Sequence, residues 1–296
     1  MVVIIMKNMG EKEGRKLKLL SGLREEKVLR FINKKGVGLE IGPSHCPIAS
    51  KRAGFNIEII DHLTASELRE KYRDHPVNID NIEEVDYVWR GQPLDELIGK
   101  QGIYDYIIAS HVIEHVPDLI SFLQQCERLL NLDGVLSLAI PDKRYCFDYF
   151  RWPSSTGDVL QSYTEHRIIH TPCTIFDHFS NAVKIDEMSF MHTLNDAKLA
   201  WECALQSEEY VDVHNWRFTP SSFRIILHDL QVLNLTELAE MGGSETTGCE
   251  FFITLGKNNK NIIKYNRIEL AKSMIKEMTE MNSEWLKLHY MRGLEY

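Results

Sequence analysis

Apolar residues along this chain fall into two rhythms. From Gly36 onward, short runs with few polar interruptions, GVGLEIG, NIEIIDH, EEVDYVW, YDYIIAS and GVLSLAIP, read as strands. Between them lie stretches with helical spacing, notably ASELREKY and DLISFLQQCERLLN, the second closed by Asp133-Gly134 as a helix stop. Strands alternating with helices predict a parallel sheet, and runs as continuous as YIIA and VLSLAI suit strands covered on both faces. The fold class is therefore α/β, a doubly wound and mostly parallel sheet.

The flanks differ. Glu11 to Asn33 is charged and helix-prone, with Leu19, Leu20, Leu23, Val28, Leu29 and Ile32 forming a rough stripe. After Pro141 the rhythm is lost over residues 142–219, then returns as a helix from Pro220 and two strand candidates, QVLNLTEL and CEFFITLG. Beyond Lys257, RIELAKSMIKEMTEMNSEWLKLHYM places Ile268, Ala271, Ile275, Met278, Asn282, Trp285 and His289 at heptad-like spacing. That pattern serves equally a helix pairing two copies as a homodimer and one folded back on its own domain. The expected division is an N-terminal helical segment (1–35), a main domain (36–257) with a mainly helical insertion over the sheet at about 142–219, and a C-terminal helix (258–296).

Composition narrows the class. With 296 residues, 44% of them hydrophobic, the chain can bury a core without staples. A net charge of -9 repels a phosphate backbone, so nucleic acid is not the expected partner. The six cysteines never form the close pairs of a zinc knuckle or redox motif and read as reduced thiols of a cytoplasmic protein. The apolar opening MVVIIM is too short for a signal peptide, and nothing later approaches a membrane span.

In open α/β sheets ligands bind beyond the carboxyl ends of the strands. Glu40-Ile41-Gly42-Pro43-Ser44 joins a strand to a turn, with Gly42 allowing close backbone approach and Glu40 placed to pair with a cationic amine. Asp61 follows Gly42 by nineteen residues, the spacing of a ribose-binding acid. The full G-x-G-x-x-G is absent, which would cradle a pyrophosphate poorly but suits a nucleoside ligand without phosphate.

LEIGPSHCPI, IIDH and YDYIIASHVIEHVPDLISFLQQCERLLNLDGVLSLAIPDKRY together resemble the successive motifs of the class I S-adenosylmethionine-dependent methyltransferases, from about Gly36 to Pro141. The resemblance implies a seven-stranded sheet with an antiparallel finish and S-adenosylmethionine as cofactor, leaving S-adenosylhomocysteine as product. It places Glu40, Gly42, Pro43 and Ser44 around the methionine moiety, Asp61 and His62 at the ribose, Gly91 and Gln92 near the adenine, and Ser110 and His111 closing the pocket. PDKRYCFDYFR, FDHFSNAV, VDVHNWRFTPSSF and GCEFFITL are further similar to methyltransferase-domain proteins found with glycosyltransferases in bacterial surface-polysaccharide and sugar modification. That likeness points to a small-molecule or glycan acceptor, and fold by itself does not fix it.

Methyl transfer to a sugar hydroxyl needs alignment to about 3 to 3.5 Å and gains from a positioned base. His115 is the first candidate for that base, with His178, His214 and His170 as rivals in or near the insertion. Asp142, Lys143, Arg144 and Tyr145, at the carboxyl edge of the sheet, are expected at the acceptor, and many of the insertion's aromatic residues suit sugar faces, although its own core needs most of them. No spacing demands a metal; a divalent ion held by Asp142 is compatible with the sequence but not indicated by it. His111-Val112-Ile113-Glu114-His115 matches the H-x-x-E-H of a zinc hydrolase class, but His111 ends a strand and should not share a helix face with His115. An NAD-linked oxidoreductase, or a non-catalytic nucleoside-binding module that recruits a partner, would also use a sheet of this kind.

Overall fold

The computed structural model describes residues 24–257 and 263–292, the last twelve of these without their side chains. Leu19, Leu20 and Leu23 of the leading stripe lie outside the described residues.

Seven strands form one sheet: β1 (Val37–Ile41), β2 (Asn56–Asp61), β3 (Tyr87–Val88), β4 (Tyr104–Ser110), β5 (Leu130–Pro141), β8 (Ala239–Thr247) and β9 (Glu250–Gly256), in the order β3-β2-β1-β4-β5-β9-β8. The first five run parallel, and β9 and β8 close the edge antiparallel. The order reverses between β1 and β4, which makes their carboxyl ends the switch point. The expected doubly wound sheet is formed.

Both faces are covered, as the unbroken apolar runs require. On one face Leu39, Ile41, Ile107 and Leu138 pack with α3 (Leu119–Leu129) and α7 (Pro220–Val232); on the other Ile57, Ile59, Tyr106 and Ile108 meet Val28 of the leading helix and Ile32 just beyond it. Helix α3 starts where Asp118 accepts the Ser121 N–H at 3.0 Å, and it buries Leu119, Ile120, Phe122, Leu123, Cys126 and Leu129. Helices α1 (Ala65–Lys71), capped by Thr64 and Glu67, and α2 (Leu94–Ile98) complete the parallel half.

Two expectations are corrected. Asp133-Gly134 does not stop α3, which ends at Leu129; it lies in the irregular start of β5, where a Cβ on Gly134 would meet the Tyr104 carbonyl at 2.8 Å. QVLNLTEL is not a strand. Helix α7, begun by the Thr219–Ser222 capping box and Pro220, keeps its stripe through Phe223, Ile226, Leu227 and Leu230 and runs to Val232, so the edge strand is the glycine-containing AEMGGSETT. The candidate EEVDYVW contracts to the two residues of β3.

Between β5 and α7 the chain forms α4 (Thr156–Thr164), α5 (Pro172–Asn181), the hairpin β6 (Val183–Lys184) and β7 (Ser189–Phe190), and α6 (Leu194–Ala204). It returns through residues 213–218, where Asn215 and Trp216 donate their N–H groups to the Glu114 carbonyl at 2.7 and 3.1 Å, and the Trp216 indole donates to Val116 O at 2.7 Å. After β9, α8 (Arg267–Arg292) folds back on α7: Leu270 is buried, Arg267 pairs with Asp229 at 2.7 Å and Ser221 donates to Glu277 at 2.7 Å. Among the described residues no helix is long and apolar enough to cross a membrane.

Candidate active site

The bend after β1 and the end of β2 are neighbours because the two strands pair in register, Ile41 beside Ile60. Gly42 donates to Ile60 O at 2.8 Å and has φ +65°, a conformation that a side chain strains, and a Cβ there would stand 3.2 Å from Val112. Past Pro43, Ser44 (φ +50°) donates its N–H to Asp61 Oδ2 at 2.8 Å. The other oxygen of Asp61 accepts the N–H of His62 at 2.8 Å and lies 2.6 Å from His62 Nδ1, so the carboxylate is 2% exposed yet firmly oriented. The glycine turn and the acid therefore share one side of the sheet.

Glu40 is engaged differently from a freely offered carboxylate. Its two oxygens accept the N–H groups of Ile48 and Ala49 at 2.7 and 3.0 Å and so brace the 42–49 loop. Burial lifts its pKa from 4.5 to about 7, against the pull of those amides and of Arg24.

Trp89 N–H donates to Asp61 O at 2.8 Å and carries the chain past the same edge to Gly91 (φ +94°) and Gln92, whose side chain accepts the Arg90 N–H at 2.8 Å. At the end of β4, Ser110 Oγ is bonded by the Arg24 guanidinium. His111 (φ +54°) sits in the following turn with Nε2 2.9 Å from Glu250, which also takes Arg24 at 2.7 Å. Ile113–His115 is a single 3-10 turn, so the two histidines of the H-x-x-E-H run do not share a helix face. A shallow hollow of about 480 Å³ lined by Gly102, Asp105, Leu130 and Lys257 lies at the opposite, amino-terminal edge, the wrong end of such a sheet for its ligand.

A second constellation forms where residues 213–218 cross the turn after β4. His115, His178 and His214, far apart in sequence, are brought together: the His115 and His214 rings stand edge to face at 4.6 Å, and His178 is 6.1 Å from His214 and accepts its N–H at 3.2 Å. His214 Nδ1 lies 2.6 Å from Asp148, which Arg151 holds at 2.7 Å. Burial would raise the Asp148 pKa, but His214 and Arg151 outweigh it and keep the carboxylate ionised, well below its usual range. His115 Nδ1 lies 2.8 Å from Asp212; burial pulls its pKa down, and Asp212 and Glu114 more than reverse that. His178 is driven down to about 4 by burial beside Arg151. His170 is likewise buried and lowered to about 4, against the ring of Tyr210.

The charged residues expected at the acceptor are largely turned inward. Asp142 is fully buried in a two-pronged pair with Arg144, 2.9 and 2.6 Å, and accepts from Thr246 at 2.6 Å. Lys143 is also buried, donating to Tyr149 O at 2.9 Å; Tyr145 alone of the four is exposed, with Arg144 over its ring. Sequence reasoning missed Asp148, Asp212, Arg24 and Glu250. The first two lay inside the runs PDKRYCFDYFR and VDVHNW, but only the fold shows which histidine each one holds.

A family model described as a methyltransferase domain matches residues 15–231 of the chain. Solved structures give looser likenesses. A SAM-dependent methyltransferase from Aquifex aeolicus is 13% identical with a TM-score of 0.38 over 84% of this chain and 100% of that one. The PH0226 protein from Pyrococcus horikoshii OT3 is 10% identical with a TM-score of 0.41 over 84% of this chain and 92% of that one. No curated protein matches. The left-handed glycine turn, open where a Cβ would intrude, and the buried acid beside it fit an adenosine joined to an amino acid, and the chain belongs to the methyltransferase-domain family, with S-adenosylmethionine as its cofactor.

Proposed function

We propose that the chain methylates a hydroxyl oxygen of a sugar or sugar-containing acceptor, with an imidazole of the His115–His214 pair taking the hydroxyl proton. The observation that carries this reading is the pair His214–Asp148 at 2.6 Å. With Nδ1 donating to a buried carboxylate, Nε2 is left as the basic atom, and Asp148 stabilises the imidazolium that forms. His115, our first candidate from sequence, has a looser counterpart, its Nδ1 2.8 Å from the exposed carboxylate of Asp212. The cofactor supplies a methyl group already activated on a sulfonium, so these residues need only hold the acceptor in line and accept one proton.

A sugar acceptor is supported by the likeness of the insertion's sequence runs and by the aromatic faces that Tyr145, Phe150, Trp152 and Tyr210 leave exposed. Action in the cytoplasm belongs to the same proposal. So does pairing of two copies through α8, where Ile268 and Ile275 are exposed one heptad apart.

A screen of radiolabelled methyl transfer onto nucleotide sugars and short glycans, with mass spectrometry of products, tests the acceptor. Labelling of a nitrogen, or of no sugar at all by protein that binds S-adenosylhomocysteine, would refute it. With the right acceptor, His214→Asn should lower kcat by about 10² to 10⁴ while S-adenosylhomocysteine affinity stays unchanged.

A further inference from the structure

Glu114 is the unexplained group of the site. Its side chain is 1% exposed, and neither carboxylate oxygen accepts a hydrogen bond. A buried carboxylate left in that condition is costly unless a cation meets it. Three imidazoles surround Oε1 at longer range: His111 Nδ1 at 3.5 Å, His115 Nε2 at 3.8 Å and His214 Nε2 at 4.0 Å. Within this group, one ligand atom each from Glu114, His115 and His214 lie within 4.8 Å of one another.

We infer that Glu114, His115 and His214 form a binding site for a divalent transition-metal cation. His214 has its Nδ1 hydrogen-bonded to the buried Asp148 at 2.6 Å, which turns its Nε2 lone pair inward as the outer-shell partner of a metal-binding histidine does, and the exposed Asp212 stands 2.8 Å from His115 Nδ1. Two imidazoles and one carboxylate suit zinc, iron, cobalt or manganese rather than calcium or magnesium. Bonds of about 2.0 to 2.2 Å place neighbouring ligand atoms about 3 to 3.5 Å apart, so the cluster, whose atoms lie within 4.8 Å of one another, must close by about half an ångström to somewhat over one. His111 Nδ1 also faces Glu114 Oε1, at 3.5 Å, but His111 does not join the three ligand atoms that lie within 4.8 Å of one another. Three protein ligands leave coordination positions for water or an acceptor oxygen. Cation and proton compete for the same Nε2 atoms, so loading would withdraw both imidazoles from proton transfer and present a Lewis acid in their place. The site stands whether or not the acceptor is a sugar.

The test uses the full chain, stripped with a chelator and titrated with Co²⁺ by visible absorption and with Zn²⁺ by calorimetry. One equivalent should bind. His115→Asn and His214→Asn should each weaken it at least 100-fold, and Asp148→Asn by about 10- to 100-fold. His228→Ala, on the far helix α7, should leave binding unchanged. Glu114→Gln is included with a circular-dichroism melt, and the half-buried His115 provides the independent variant if that substitution unfolds the chain. Absence of a Co²⁺ spectrum, or equal binding by all ligand variants, overturns the site. S-adenosylhomocysteine binding is measured in parallel: its presence without metal binding sinks the cation site alone, and metal binding without it sinks the cofactor assignment alone.

Discussion

Glu40 shows how much one residue of the cofactor loop carries. Held at about 7 by burial, it is protonated in the folded chain over a range where the unfolded chain has already ionised it. The folded state therefore binds more protons between about pH 4.5 and 7, and stability contributed by Glu40 is lost as pH rises through that window, on the order of 3 kcal/mol at most. Melting midpoints at constant ionic strength should fall from pH 5 to pH 7.5, and Glu40→Gln, which still accepts the Ile48 N–H, should flatten the slope. An unchanged slope would assign the effect to other groups. Asp61 makes the complementary case. If Asp61 binds the ribose as proposed, Asp61→Ala removes that acceptor and releases the Ser44 amide, so S-adenosylhomocysteine affinity measured by calorimetry should drop by at least tenfold, while Asp61→Asn, which keeps one oxygen for Ser44, should lose less. Gly42 and Asp61 were legible in the sequence because their signals are local: a strand ending in glycine, and an acid one strand later. Asp148 and Glu114 were not, since their meaning lies in pairings with His214, 66 residues from the first.

At the scale of elements, strands whose burial is two-sided announced themselves and the edge strand did not. Strand β8 is placed by its partner β9 and by close packing, Gly242 against Phe31 and Gly243 against the Phe252 carbonyl, where a Cβ would come within 2.5 Å; such glycines weaken any strand pattern. The apolar QVLNLTEL next to it looked more strand-like but continues a helical stripe. The same scale governs the proposed acceptor region. Residues 213–218 carry His214 to His115 only because Asn215 and Trp216 fasten that segment to Val116 and Pro117. Trp216→Phe keeps an aromatic ring but a smaller one, leaving the buried Val116 carbonyl without its indole donor at a cost of about 1 to 3 kcal/mol, to which a cavity in the core adds. We expect kcat to fall by about tenfold or more with S-adenosylhomocysteine affinity within twofold of the parent. A parallel loss of both would show that the strap supports the cofactor pocket as well.

On the scale of the whole molecule, the methyltransferase and a nucleoside-binding module that recruits a partner make opposite demands on α8. The helix is fastened to α7 by the buried Leu270, by Arg267 on Asp229 and by Glu277 on Ser221, all on elements remote from the Gly42 turn. Ending the chain at Lys257 removes one well-buried leucine, about 1.5 to 3 kcal/mol, with smaller losses from the Ser221–Glu277 hydrogen bond, the Ile263 N–H on Glu240 O, Tyr265 beside Arg224 and an exposed ion pair that adds little. For a chain of this size each kcal/mol moves the midpoint by roughly 2 to 4 °C, so the shortened protein should melt several degrees lower. Its affinity for S-adenosylhomocysteine should be retained, and so should methyl transfer at a temperature where it is folded, because the contacts of α8 named above are all to α7. His214→Asn in the full chain should do the reverse, preserving the midpoint to within a few degrees and removing transfer. Were the roles exchanged, with biological activity surviving His214→Asn and vanishing with α8 although cofactor binding persists, the catalytic reading of the cluster would give way to that of a docking module.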